Sequence, residues 1–174
     1  MHLQIRAVLA EWAAIGAPPW VLREIRVGVP LPWASTSVPY RAPPYPLPPQ
    51  WLMSAVQEAQ RWCSAGFSRR LSRLEATRAP WVSPAFIADR LRKPRLVLHL
   101  KYVNGFLHNK PFWYESLALF LSHVEADDYL VSWDVQDAFH HLAFQPADAW
   151  RLVFRLGNRY YEPLTLPFGL KLVP

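Results

Sequence analysis

The chain has 174 residues, 52% hydrophobic and 14% aromatic, which is enough for one domain with a sizeable core and too apolar for disorder throughout. Its 19 Lys and Arg against 13 Asp and Glu leave a charge of +6, a balance that favours polyanions, nucleic acid before anionic membrane. Cys63 is the only cysteine, which excludes an internal disulfide or multi-cysteine zinc site and fits a reducing intracellular compartment, cytoplasmic or nuclear. The apolar stretch at 7–10 is too short for a signal peptide, and no segment approaches the ~20 apolar residues of a membrane span.

In chain order, His2–Ile15 places Ile5, Val8, Leu9 and Trp12 at helical spacing. Most of the 18 prolines fall in residues 1–80, and the run at 39–49 (VPYRAPPYPLPP with its leading Val38) predicts an extended, polyproline-like segment with PxxP character. A helix is expected over Trp51–Ser64, with Met53, Val56, Ala59, Gln60 and Cys63 along one side. Arg69, Arg70, Arg73 and Arg78 follow as a basic cluster, either a solvated helix face or a phosphate contact.

The second half is richer in strand signals. Arg95–Val103 alternates, turning Leu96, Leu98, Leu100 and Tyr102 one way and Arg95, Val97, His99, Lys101 and Val103 the other. Phe112–Val124 reads as a helix, and Tyr129–Trp133 as an apolar strand running into Asp134. Trp150–Leu156 and Arg159–Leu166 flank Gly157-Asn158, a two-residue hairpin turn with glycine first. Pro163 and Pro167 confine its second arm to an edge or irregular position. The expected architecture is α/β (α+β), with residues 1–80 a helical, Pro-rich extension and 81–174 the folded unit.

The chemistry concentrates in Ser132–His141 (SWDVQDAFHH). A carboxylate at the carboxyl end of a strand is well placed to hold Mg²⁺ against substrate phosphates, the arrangement nucleotidyl transfer requires. Asp137 also suits the N-cap of a following helix. His140 and His141 are neighbours that diverge on a helix, so one is expected packed and the other exposed.

Three blocks in order, KPRLVLHLKYVNGFL, YLVSWDVQDAFHHLAF and YYEPLTLPFGLKLVP, resemble successive motifs of a reverse transcriptase. Trp12, IGAPPWVL at 15–22 and Val82-Ser-Pro84 resemble the preface found in tyrosine-recombinase (DIRS-like) retrotransposons. The resemblance covers roughly residues 10–174. It implies a partial right-hand polymerase fold, fingers plus the start of the palm, with Mg²⁺ as cofactor and an RNA template, a DNA primer and dNTP as partners.

By the same resemblance Asp134 is the first metal-binding, catalytic aspartate and Phe139 the aromatic gate that excludes a 2′-hydroxyl. Asp137 and Ala138 approach the triphosphate, Arg95 and Lys93 clamp its phosphates, and Phe168 and Gly169 begin the block lining the nucleotide pocket. Lys101 falls on a template-contacting position. The sequence departs from the pattern at His99 and Lys101 (for LDLR) and at Ala88-Asp89-Arg90 (for PKK). No Tyr-x-Asp-Asp hairpin precedes Pro174, and Asp127-Asp128 lies on the wrong side of Asp134 to supply one. The expectation is therefore a fragment of an RNA-directed DNA polymerase, inactive alone. The alternative is a non-catalytic nucleic-acid-binding or assembly remnant, and an unstable relic is a third outcome.

Overall fold

A computed structural model describes residues 5–34, 36, 38–88, 94–108 and 115–171. The fold is α+β: a mixed six-stranded sheet with short helices around it. The strands are β1 (Tyr40–Arg41), β2 (Ser68–Arg70), β3 (Trp81–Ala88), β4 (Arg95–Leu98), β5 (Phe154–Leu156) and β6 (Arg159–Pro163). Their order is β1-β3-β5-β6-β2, with β4 also on β3.

β3 organises the sheet because every side chain from Trp81 to Ala85 is buried and because Pro84 interrupts its ladder. Its first residues pair in parallel with β1 (Tyr40↔Trp81) and β5 (Ser83↔Phe154); from Ala85 onward it pairs antiparallel with β4 (Ala85↔Leu98 to Ala88↔Arg95). Proline has no N–H to donate. Pro84 instead accepts at its carbonyl from His99 N at 2.8 Å, and the change of partner falls at this residue.

The hairpin expected around Gly157-Asn158 forms as β5 and β6, in register Phe154↔Tyr161 and Leu156↔Arg159, with Gly157 alone of the two at positive φ (+56°). The first arm is shorter than expected, since Trp150 belongs to a 3-10 turn at Pro146–Arg151. The second arm is not an edge. β6 pairs on its other side with β2, and Pro163 is tolerated as the last residue of the strand, opposite Ser68.

α1 (Leu9–Ala14), preceded by a 3-10 turn over Ile5–Val8, half-buries Ile5, Val8, Leu9 and Trp12 as their spacing requires; residues 2–4 of the expected helix lie outside the described residues. α2 (Pro19–Val27) was not foreseen in IGAPPWVL; Pro19 occupies its first turn, where a missing N–H costs nothing. The proline-rich run has no regular secondary structure apart from β1, and Pro49 opens α3 (Pro49–Ser64). The buried stripe of α3 is rotated from the expected one: Ala55, Val56, Ala59 and Trp62 face the core, whereas Met53 is 58% exposed and Gln60 is exposed. Trp62, 2% exposed, takes the core-facing side, and Met53 and Gln60 fall on the other side of the helix.

Arg69 and Arg70 lie on β2 rather than on a helix; Arg73 and Arg78 lie on α4 (Arg73–Arg78), started by a Ser72–Glu75 capping box. Three other expectations fail. The strand from Arg95 stops at Leu98, and Lys101–Asn104 forms α5, so Lys101, Tyr102 and Val103 leave the alternation and Val103 is buried. The helix foreseen over 112–124 is reduced to α6 (Leu117–Leu121), with 112–114 outside the described residues. Tyr129–Trp133 forms no strand. It finds no ladder partner among the described residues and is exposed, Tyr129 at 98% and Trp133 at 86%.

One buried cluster runs from Leu31 through Trp62, Trp81 and Leu98 to Leu152 and Tyr161, drawing on both sides of position 80. Asp148 fastens the N-terminal segment to it. Its buried carboxylate accepts from Leu31 N (3.2 Å), Trp33 Nε1 (2.7 Å) and Arg151 Nη1 (3.2 Å), and the Arg151 guanidinium stacks 4.3 Å over the Trp33 ring. Asp148→Ala leaves three donors without that acceptor and should lower unfolding free energy by about 2–4 kcal/mol, measured by urea denaturation. A loss below about 0.5 kcal/mol would count against this role.

Candidate functional site

A cleft of about 510 Å³ opens beside β4 and α3, lined among others by Glu58, Arg61, Arg95, Asp134, Asp137 and Phe139. Three structural devices shape it. First, the loop after β6 is locked to the end of β4. Leu98 N donates to Phe168 O at 3.2 Å, Asn104 Nδ2 to Gly169 O at 2.8 Å, and Lys171 N to Asn104 Oδ1 at 2.9 Å. Gly169 has φ +100°, and a Cβ there would stand 2.1 Å from the Leu98 carbonyl oxygen, so only glycine lets the loop close. The closure brings Phe168 edge-on to Phe139, centroids 5.4 Å apart.

Second, α3 supplies a charged wall. Arg61 bonds Glu58 (2.7 Å) and reaches across to both oxygens of Asp137 (3.0 and 3.2 Å), while Trp62 Nε1 donates to Glu58 Oε1 at 2.9 Å. The two acceptors raise the Arg61 pKa still further, so its charge is fixed. Asp137 adopts the left-handed conformation (φ +53°) that aspartate tolerates better than most residues. Its carboxylate makes no capping bond. The expected helix at Asp137 is a single 3-10 turn, Ala138–His141, and the side chain serves as Arg61's partner instead.

Third, His140 is buried under the cleft. Its ring stacks on Phe67 (centroids 4.6 Å, 9° between planes), meets Trp62 edge-on at 4.8 Å, and places Nδ1 2.9 Å from Thr165 Oγ1. Burial pushes its pKa down to about 4, with Asp137 and Glu58 opposing and Arg61 and His141 assisting. His141 is half-exposed and places Nε2 3.1 Å from Gln136 O, so the expected division of the histidine pair holds.

Of the residues singled out in the sequence, Arg95, Asp134, Asp137, Ala138, Phe139 and Phe168 line this one cleft although they span positions 95 to 168. Gly169 does not line it but holds Phe168 in place. Lys101 lies elsewhere, at the exposed start of α5, beside Tyr40, Tyr102 and the proline segment. Lys93 falls outside the described residues. Glu58, Arg61 and His140 were missed as cleft residues. The i, i+3 spacing of Glu58 and Arg61 was legible as a helix pair, but nothing local ties Arg61 to a carboxylate 76 residues away.

Asp134 is exposed and has no ion-pair partner among the described residues. Among those residues no three His, Cys, Asp or Glu side chains converge as a metal-ligand set. The described lining carries three carboxylates (Glu58, Asp134, Asp137) against two arginines, so an incoming triphosphate would need a cation with it. Mg²⁺ is commonly held by one or two carboxylates together with substrate phosphates. The residues present fit that mode and not a preformed metal cage; the exposed Asp134 is the carboxylate that would hold such an ion.

No family model matches the chain. It is 22% identical over 162 residues to a genome polyprotein of Petunia vein clearing virus (isolate Shepherd), covering 90% of this chain and 7% of the polyprotein. It is 22% identical over 137 residues to the transposon Tf2-7 polyprotein of Schizosaccharomyces pombe, covering 78% of this chain and 10% of that protein. The similarity is to retroelement polyproteins. The chain spans a tenth or less of the length of these curated relatives. Among the described residues no helix is long and apolar enough to cross a membrane.

The histidine gives a pH prediction. With a folded pKa of about 4 against 6.5 unfolded, the unfolded chain binds more protons between those values, so stability rises with pH across that window. The His140 contribution is fully present above pH 6.5, and about 3 kcal/mol is lost by pH 4. Urea denaturation of the wild type and His140→Phe from pH 7 to pH 4.5 should show a flatter dependence in the variant; parallel curves would refute the assignment. Gly169→Ala should cost about 2 kcal/mol or more by the same measurement, from positive φ and the clash with Leu98.

Proposed function

We propose that this chain is the nucleotide-pocket part of a retroelement reverse transcriptase, an RNA-directed DNA polymerase of the DIRS-like type. The reading is supported by one observation above the others. Five residues that the family resemblance assigns to the incoming nucleotide and the one it assigns to the metal, drawn from three separate sequence blocks, line a single cleft. The distant similarity to viral and transposon polyproteins agrees with a retroelement origin.

In this reading Arg95 receives the phosphates of a dNTP, since a guanidinium fork matches phosphate oxygens. Phe139, braced edge-on by Phe168, closes the space a ribose 2′-hydroxyl would need. Arg61 does not compete for the phosphates, because Glu58 and Asp137 already occupy it. It orients Asp137 and thereby the Asp137-Ala138 backbone that faces the triphosphate. Asp134 would hold Mg²⁺ jointly with the phosphates, and that ion would offset their charge during nucleotidyl transfer. Lys101 contacts the RNA template and Lys93 adds to the phosphate clamp. The nucleic-acid partners of the complete enzyme are an RNA template and a DNA primer.

The test is equilibrium binding of a fluorescent dNTP with Mg²⁺, competed by unlabelled dNTP and rNTP. The expected result is preference for dNTP, lost in Phe139→Ala, and affinity weakened roughly 10- to 100-fold in Arg95→Ala, the usual worth of a charge-assisted contact. Equal competition by dNTP and rNTP, together with unchanged binding in Arg95→Ala, would overturn the reading.

A further inference from the structure

A second concave surface, about 840 Å³ and sharing no lining residue with the cleft, is formed where β1, β2, α4 and β6 meet. Four guanidiniums from those four elements line it: Arg41, Arg70, Arg73 and Arg159. No Asp or Glu is among the lining residues. The acids carried by α4 and β6, Glu75 and Glu162, are already committed. Glu75 and Glu162 both bind Arg69, each at 2.5 Å, and Glu75 also closes the capping box of α4. The cluster read from the sequence is thereby divided. Arg69 is neutralised, whereas Arg70, Arg73 and Arg159, all exposed, have no carboxylate partner among the described residues. Arg41 is fixed differently, donating to the carbonyls of Ala76 and Ala79 while standing 6.0 Å from the centre of the Tyr160 ring.

We infer that this groove binds the phosphodiester backbone of a single-stranded nucleic acid, without base readout. Guanidiniums spaced along a concave surface match successive phosphates, each in fork geometry. Base stacking is disfavoured because the one aromatic ring of the groove, Tyr160, already carries two guanidiniums, Arg41 and Arg155 (5.3 Å). A groove that offers charge but no open ring holds the strand through its backbone and tolerates any sequence. The inference stands apart from the reading of the cleft, since neither site supplies a residue to the other.

The experiment is fluorescence anisotropy of labelled single-stranded DNA against the whole chain over a range of NaCl, with one mixed-sequence probe and one of thymidine alone. Each phosphate contact on a single strand contributes about 0.7 to the slope of log K against log salt. Arg70→Ala/Arg73→Ala/Arg159→Ala should therefore lower the slope by about 2. The corresponding triple lysine variant should retain most of it, which separates charge from folding. An unchanged slope in the alanine triple variant, or a strong preference between the two probes, would overturn the inference.

Discussion

The fold depends on β3 holding three partners at once. Its eight residues are the meeting point of a parallel pair at each edge and an antiparallel pair further along, and they can serve in this way because one residue, Pro84, withholds a donor. Val82 O accepts from Ala42 N and Pro84 O from His99 N, each at 2.8 Å, so the edge used by β1 passes to the segment following β4 within two residues. A non-proline residue would carry an extra donor at the point where the partners change. Trp81, Ala85 and Ile87 pack in one buried cluster and Val82 in another, so a slip by one would send each side chain into the cluster shaped for its neighbour.

The cleft inherits its rigidity from that strand. β3 fixes β4, β4 ends at Leu98, and Leu98 N holds Phe168 O. Arg95 at one end of β4 and Phe168 at the other are therefore separated by a distance the backbone sets rather than by side-chain preference. Phe139 approaches from the opposite wall, carried by the 3-10 turn whose underside, His140, is sandwiched between Phe67 and Trp62. A neutral, stacked imidazole joins the aromatic core to the floor of a charged cleft. Its hydrogen bond to Thr165 Oγ1 pins the β6 side of the same floor.

What was legible in the sequence follows from what was local. The Gly157-Asn158 hairpin, the onset of β4 and the existence of α3 rest on patterns of a few residues, and each formed. Tyr129–Trp133 has an equally good strand pattern and pairs with no strand among the described residues, because a strand is a property of two segments and its partner is not written in either one. The turn at His99 and Leu100 replaced the second half of the expected strand for a similar reason: once His99 N bonds Pro84 O, the ladder with β3 has ended and Lys101 begins a helix. Six of the residues that the family resemblance named line one cleft. The contacts that position them, Arg61 to Asp137 and Asp148 to Trp33, span 76 and 115 residues and leave no local trace.

The two sides of the cleft are not equally prepared for chemistry. Arg95 sits on a paired strand and Phe168 on a loop held by three backbone or amide hydrogen bonds, so their geometry exists before any ligand arrives. Asp134 is carried by the exposed stretch 129–136, which joins no strand ladder among the described residues, and the first fixed points after it are the Gln136 carbonyl, 3.1 Å from His141 Nε2, and the Arg61–Asp137 bridge. Electrostatic catalysis requires groups held within a few tenths of an ångström of their working positions. Selection of a nucleotide by shape and phosphate charge demands less, because a fork-shaped cation and a packed ring tolerate small displacements of the acid. In the proposed reading, the groups that would recognise a nucleotide are held before any ligand arrives, and the carboxylate that would act on it is carried by exposed backbone outside any ladder among the described residues.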